Sequence, residues 1–139
     1  MIKSDIIGHK FPGGSFLINE DLNKLVNKST GKINSLSKNN VSHQIFSMIA
    51  LSNIGYTLEE FFKYLNYDVN KGPMLGECNI KFYNPLELNN NYDVQGKIES
   101  LEFKRSKKIG NIDIMTFSID ILHNNKIITK ILYTWILPR

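Results

Sequence analysis

Three histidines, one cysteine and a sparse set of carboxylates are the groups in this chain that could move protons, attack carbon or hold a metal. His9, His43 and His123 lie far apart, and no His/Asp/Glu spacing resembles a metal site. Cys78 stands alone, which excludes an internal disulfide and a cysteine-cluster metal centre. It falls in a stretch of strand character, where a buried thiol is the favoured reading. From Leu22 to Leu58 there is neither Asp nor Glu, so His43 has no carboxylate near it in sequence. Acid–base chemistry at His43 would need a partner from elsewhere, and Glu77 is the candidate. A polar residue at a helix start is the plainer reading of His43, and it is favoured. Lys104, Arg105, Lys107 and Lys108 form a dense basic cluster. It reads first as a solvated hairpin tip and second as a docking surface for an acidic partner.

The elements that would position these groups are organised around Ser42 to Gly55, SHQIFSMIALSNIG. Ile45, Phe46, Met48, Ile49, Ala50, Leu51 and Ile54 predict a helix from about His43 to Ile54 with almost no polar face, wrapped by the rest of the domain. Ser42 is the expected N-cap and Gly55 the left-handed residue that ends the helix. A membrane span would need roughly 18 or more apolar residues in a row, so a buried core helix and no membrane span are expected. Upstream, Phe11 to Ile18 reads as a Gly-interrupted lead into a short strand. Asn19 then caps a helix with Glu20 and Asp21 in its first turn, a buried stripe of Leu22, Leu25 and Val26, and a stop at Gly31. Lys32 to Val41 reads as a loop. Thr57-Leu-Glu-Glu60 is a capping box opening TLEEFFKYLN, whose apolar face is Leu58, Phe61, Phe62 and Leu65.

Four segments of strand character follow. Gly76 to Tyr83 alternates Cys78, Ile80 and Phe82 against Glu77, Asn79 and Lys81. Tyr92 to Phe103 sets Val94 and Ile98 opposite Gln95, Lys97 and Glu99, and Lys104 to Gly110 reads as a basic hairpin loop. Ile112 to Leu122 and Ile127 to Leu137 form a last hairpin, joined at His123-Asn124-Asn125. Helices first and a strand meander after predict a single α+β domain over residues 1–139.

A net charge of +4 admits nucleic acid, anionic lipid or an acidic carrier protein as partner, and is also an ordinary solubility charge. No binding motif or aromatic interleaving accompanies the basic cluster, so nucleic acid is not expected. The stretch MIKSDIIGHKFPGG has no apolar core of signal-peptide length, and a cytoplasmic protein is expected.

Several short motifs occur in a telling order: Gly8 to Phe16; Leu25 to Leu36, LVNKSTGKINSL; Ser42-His43-Gln44-Ile45-Phe46; and Gly72-Pro73-Met74-Leu75-Gly76-Glu77 with Tyr83-Asn84-Pro85-Leu86. Together they resemble the MaoC-like dehydratases and hydratases, hot-dog enzymes acting on (3R)-hydroxyacyl thioesters, in their N-terminal half-domain type. The first stretch looks like that family's leading strand, and the second like its helix end and active-site loop. The third is similar to its H-P-x-F opening of the central helix, and the last to its H-G-E strand and Y-x-P-L turn. The resemblance implies a hot-dog fold, an antiparallel sheet wrapped around one apolar helix.

Catalysis in that family uses the Asp and His of a D-x-N-P-x-H loop. Laid over this chain, the aspartate position is Lys32, the asparagine is Asn34, the proline is Ser35 and the histidine is Ser37. Leu75 stands in place of the histidine of the H-G-E strand. The resemblance therefore implies a subunit of a (3R)-hydroxyacyl-thioester dehydratase or enoyl hydratase system that binds the acyl chain without supplying the dyad. Its substrate would ride on acyl carrier protein or coenzyme A, with no cofactor and no metal. It would form a homo- or heterodimer with another hot-dog subunit. Gly72 to Glu77 is then the expected pocket wall, with Gly72, Met74, Leu75 and Gly76 as its binding residues. Tyr56, Phe61, Phe62, Met48 and Met74 either line a tunnel or are plain core. Lys104, Arg105, Lys107 and Lys108 would dock the carrier. Two alternatives stay open. One is a stand-alone dehydratase or thioesterase with rearranged residues such as Asn34, His43 or Glu77. The other is a non-enzymatic acyl-binding or regulatory hot-dog protein.

Overall fold

Five strands form one antiparallel sheet in the computed structural model, which describes residues 2–31 and 40–139. They are β1 (Gly14–Leu17), β2 (Met74–Phe82), β3 (Asn91–Ser106), β4 (Gly110–His123) and β5 (Lys126–Pro138), in spatial order β1-β3-β4-β5-β2. Period-two alternation builds the long strands. Met115, Phe117, Ile119 and Ile121 of β4 share a buried face with Ile131, Tyr133, Trp135 and Leu137 of β5. Asn124 and Asn125 both take positive φ, 50° and 62°, and so make the two-residue turn whose twist suits a hairpin. The turn is shorter than expected, because His123 ends β4 and its Nδ1 lies 3.1 Å from the Asn91 carbonyl. The basic loop is shorter too: β3 runs through Ser106, so Lys104 and Arg105 are strand residues and only 107–109 form the turn.

The central helix spans Gln44–Asn53 and is wound as 3₁₀, where an α-helix was expected. Side chains compete with the α-ladder there: the Ser47 hydroxyl donates to the Gln44 carbonyl at 2.9 Å, and Asn53 Nδ2 to the Ile49 carbonyl at 2.9 Å. The N-cap is His43 and not Ser42. His43 Nδ1 accepts from the Ile45 N–H at 3.0 Å, while Ser42 is buried with its hydroxyl donating to the Leu86 carbonyl at 3.0 Å. Gly55 follows the helix at φ 91°, and a Cβ there would sit 2.6 Å from Pro12 Cβ. Gly14 is equally constrained, since a Cβ there would collide with the Asn53 carbonyl oxygen. These close approaches seat the lead segment and β1 against the helix end.

The sheet wraps the central helix on one side. Phe46, Ala50 and Ile54 are buried, but Ile45 and Met48 are 51% and 41% exposed, so the helix is not apolar-covered all round as its composition suggested. This curled antiparallel sheet around one central helix is the hot-dog fold. Phe117 packs edge-on against Trp135 and Phe61 at 4.9 and 5.6 Å between centroids. Each such burial stabilises by roughly 1.5–3 kcal/mol, and the edge-to-face geometry adds about 1 kcal/mol.

Helix α1 (Glu20–Ser29) starts at Asn19 as expected, with the Asn19 carbonyl oxygen of the side chain accepting from the N–H groups of Asp21 and Leu22. Its buried face differs in part: Val26 of the expected stripe packs against the core, but the two leucines do not. Asn23 and Asn27 are buried, while Leu22 and Leu25 are 45% and 59% exposed. The reason is polar: Asn23 Oδ1 accepts the His43 backbone N–H at 2.8 Å, tying α1 to the start of the central helix. Helix α2 (Leu58–Tyr64) carries the capping box, with Thr57 and Glu60 bonded reciprocally at 2.7 and 3.1 Å. Phe61, Phe62 and Leu65 are buried, but Leu58 is exposed.

Candidate functional site

An apolar groove of about 320 Å³ lies where the central helix, α2, β2 and β5 meet. The central helix contributes Met48 and Leu51, and α2 with its leading residue contributes Leu58 and Phe62. Pro73, Met74 and Leu75 enter from the start of β2, and Tyr133 and Trp135 from β5. Its placement follows from the register. Leu75 pairs with Trp135 and Cys78 with Tyr133, so these four side chains project to the helix side of the sheet. β2 is an edge strand with nothing paired on its far side among the described residues, and the groove opens there. Leu75 is 60% exposed and Met74 39%.

The few polar atoms in this region are soft ones. The Tyr133 hydroxyl donates to Met48 Sδ at 3.9 Å and interacts with the Cys78 thiol. Burial, with Cys78 beside it, pushes the Tyr133 phenol up to about 12. Burial also raises the Cys78 thiol, and the Tyr133 hydrogen bond opposes that only in part. Both groups are therefore neutral at ordinary pH. A neutral, apolar groove can hold an aliphatic chain, but it has no base of its own.

The structure places the other sequence candidates as follows. Lys32, Asn34 and Ser37 lie outside the described residues. His43 spends Nδ1 on the helix cap, and its Nε2 lies 3.5 Å from Thr30 Oγ1. Glu77 alternates with Cys78 and so points to the opposite face of β2, where its carboxylate accepts from Asn79 Nδ2 at 3.0 Å. The strand thus directs Glu77 away from the side that carries the central helix, and His43 and Glu77 do not meet within one chain. Gly72 takes φ 80° to end the short turn before β2, next to Pro73. Gly76 sits at the β-bulge between Leu75 and Glu77, where a Cβ would press on Ile136 at 3.2 Å. Tyr56 does not line the groove. Its hydroxyl lies 2.9 Å from His9 Nε2, and its ring stacks on Phe61. His9 is accordingly more than a loop residue, since its ring also stacks on Tyr64 at 4.1 Å.

Lys104 and Arg105 lie near the end of β3 and Lys107 and Lys108 in the turn that follows it, all exposed. The residue chain Met74–Ile136–Ile114–Glu102 runs straight across the sheet, so this basic tip projects beyond the same end of the sheet as the groove. Tyr133, Trp135, Leu51 and Leu58 are the lining residues that sequence reasoning missed, while Pro73 falls within the expected wall. The signal for two of them was present, because the alternation in Ile127 to Leu137 puts Tyr133 and Trp135 on the core face together. Among the described residues there is no group of three or more His, Cys, Asp or Glu side chains that could hold a metal. No helix among them is long and apolar enough to cross a membrane.

No protein-family model matches the chain, and no curated protein matches it. Solved structures do. The (3R)-hydroxyacyl-ACP dehydratase HadBC complex from Mycobacterium tuberculosis superposes with a TM-score of 0.70 at 15% identity, over 97% of this chain and 99% of that one. The ChsH1–ChsH2 complex from the same organism gives 0.71 at 10% identity, over 93% and 88%. The MaoC-like dehydratase from Rhodospirillum rubrum gives 0.67 at 12% identity, over 100% and 97%. At such identities the likeness is one of fold.

Proposed function

We propose that this chain is a hot-dog subunit of a (3R)-hydroxyacyl-thioester dehydratase or enoyl hydratase system, in which it holds the acyl chain and a partner subunit supplies the acid and base. The observation that carries this reading is the groove itself: an apolar slot flanked by a neutral tyrosine and a neutral thiol, open along an unpaired sheet edge. Replacement of the expected dyad by Lys32 and Ser37, and the absence of any Asp or Glu from Leu22 to Leu58, support it. So does the geometry that keeps His43 on a helix cap and Glu77 on the far face. Fold neighbours that include a dehydratase complex are consistent with a paired assembly. In this reading Met74, Leu75 and Gly76 form one wall of the chain site, and Gly72 with Pro73 marks its rim. The partner adds along β2, and Lys104, Arg105, Lys107 and Lys108 receive an acidic carrier protein bearing the thioester.

The decisive experiment is hydration of a model enoyl thioester by the purified chain, alone and with a hot-dog subunit that keeps the D-x-N-P-x-H loop. The expected result is no turnover alone and turnover at least tenfold above that of the partner alone when both are present. Turnover by the single chain would overturn the reading and assign it a dyad of its own.

A further inference from the structure

The face of the sheet turned away from the central helix carries a second cavity, of about 490 Å³, lined chiefly by polar residues. Ser118 and Asp120 of β4 line it, alternating with the fully buried core residues Phe117, Ile119 and Ile121, so the sheet itself separates it from the apolar groove. Lys97 and Glu99 enter from β3, Lys130 from β5, and Lys10 from the lead segment, where it bridges to Lys97.

Two observations distinguish this cavity from a solvated ionic surface. Ser118 is only 2% exposed, and its hydroxyl donates to Glu99 Oε1 at 2.7 Å, across the β-bulge between Ile98 and Ser100. Asp120 Oδ1 is buried and accepts no hydrogen bond among the described residues. Lys130 Nζ attracts it from 3.8 Å, which is too long for a hydrogen bond. A buried carboxylate oxygen without a donor is costly. The cavity therefore presents one carboxylate oxygen with no hydrogen bond among the described residues, on a side chain 24% exposed, and three lysines. Of these, Lys130 pairs with Asp120 at 3.8 Å and Lys97 with Glu99 at 3.9 Å, both beyond hydrogen-bond distance.

We propose that this cavity binds a small zwitterion, a molecule carrying a primary ammonium and an anionic group a few bonds apart. The ammonium donates to Asp120 Oδ1, and Lys97 with Lys10 holds the anionic group. The mixed lining selects against the halves. An anion alone leaves Asp120 Oδ1 unfilled and sits beside two carboxylates, whereas a cation alone faces three lysines. A cavity of about 150 Å³ accommodates a benzene ring, so the upper bound here is about 20 non-hydrogen atoms. The proposal does not depend on what fills the groove.

The test is an amide NMR titration of the whole chain with O-phosphoethanolamine, and separately with methylammonium and with inorganic phosphate. Shifts are expected at residues 95–99, 118–120 and 130, with the zwitterion binding at least tenfold tighter than either half. Asp120→Asn keeps the shape of the side chain and removes only the 3.8 Å ion pair with half-exposed Lys130, so its thermal melt should stay close to that of the parent. It is expected to weaken the zwitterion at least tenfold and to leave phosphate no weaker, since it removes a carboxylate beside the anion. Lys97→Ala, at an exposed site, should weaken the zwitterion and phosphate alike. Equal affinity for phosphate and phosphoethanolamine would reduce the site to an anion patch and overturn the proposal. The absence of shifts at these amides at about 10 mM ligand would also overturn it, as would a zwitterion affinity that Asp120→Asn does not change.

Discussion

Tyr133 is the side chain in which the groove's chemistry concentrates. Its folded-state phenol is raised to about 12, whereas an unfolded tyrosine titrates near 10. Between those values the unfolded chain releases a proton that the folded chain keeps, so stability is intact below about pH 10 and falls as the pH rises toward 12. Urea midpoints measured across that range should decline, and the highest-pH step of tyrosinate absorbance should vanish in Tyr133→Phe. If the step survives, the buried phenol lies elsewhere. Little of this was legible in sequence, where Tyr133 is one aromatic in an apolar strand. The same limit applies to His43 and Asn23. Sequence shows a histidine at a helix start and a polar residue beside a leucine stripe. Only the fold shows that Nδ1 caps Ile45 and that Asn23 holds the His43 backbone, which turns Leu22 and Leu25 outward.

At the scale of elements, β2 is the longer of the two edge strands of the sheet. Leu75, Ile80 and Phe82 are 60%, 37% and 37% exposed on a nine-residue edge strand, a length and composition that natural edges usually blunt. Such an edge invites a second sheet. Ile80→Lys should therefore weaken self- or partner assembly at least tenfold by sedimentation, and leave the single chain's stability within about 0.5 kcal/mol. Unchanged assembly would move the partner to another surface. The strand was readable because Cys78, Ile80 and Phe82 alternate with polar residues. Its edge position was not, since local alternation carries no information about which neighbours a strand acquires. The capping box at Thr57 and the Asn-Asn hairpin turn were legible for the opposite reason, being set by contacts within a few residues. The 3₁₀ winding of Gln44–Asn53 was not, because apolar content reports burial and says little about helical pitch.

Taken whole, the molecule has two faces with opposite chemistry on one sheet. Period-two patterning in β4 and β5 announced such a division and made an α+β domain legible, whereas the hot-dog architecture was implied only by the family resemblance. What the pattern could not supply was depth: which side chains would face each other across a groove. Trp135 is one of them, and it is also the only tryptophan in the chain. Its indole is 8% exposed and stacks on Phe62 at 5.5 Å. The protein thus carries an optical gauge where the chain site is proposed. An aliphatic guest entering the groove would expel water from around the ring and shift its fluorescence toward the blue. Titration with decanoate should show a saturable shift that Leu75→Asp suppresses, and a flat trace would mean that the groove stays empty. The emission colour of a single residue then reports whether the groove is filled, with no label and no partner present.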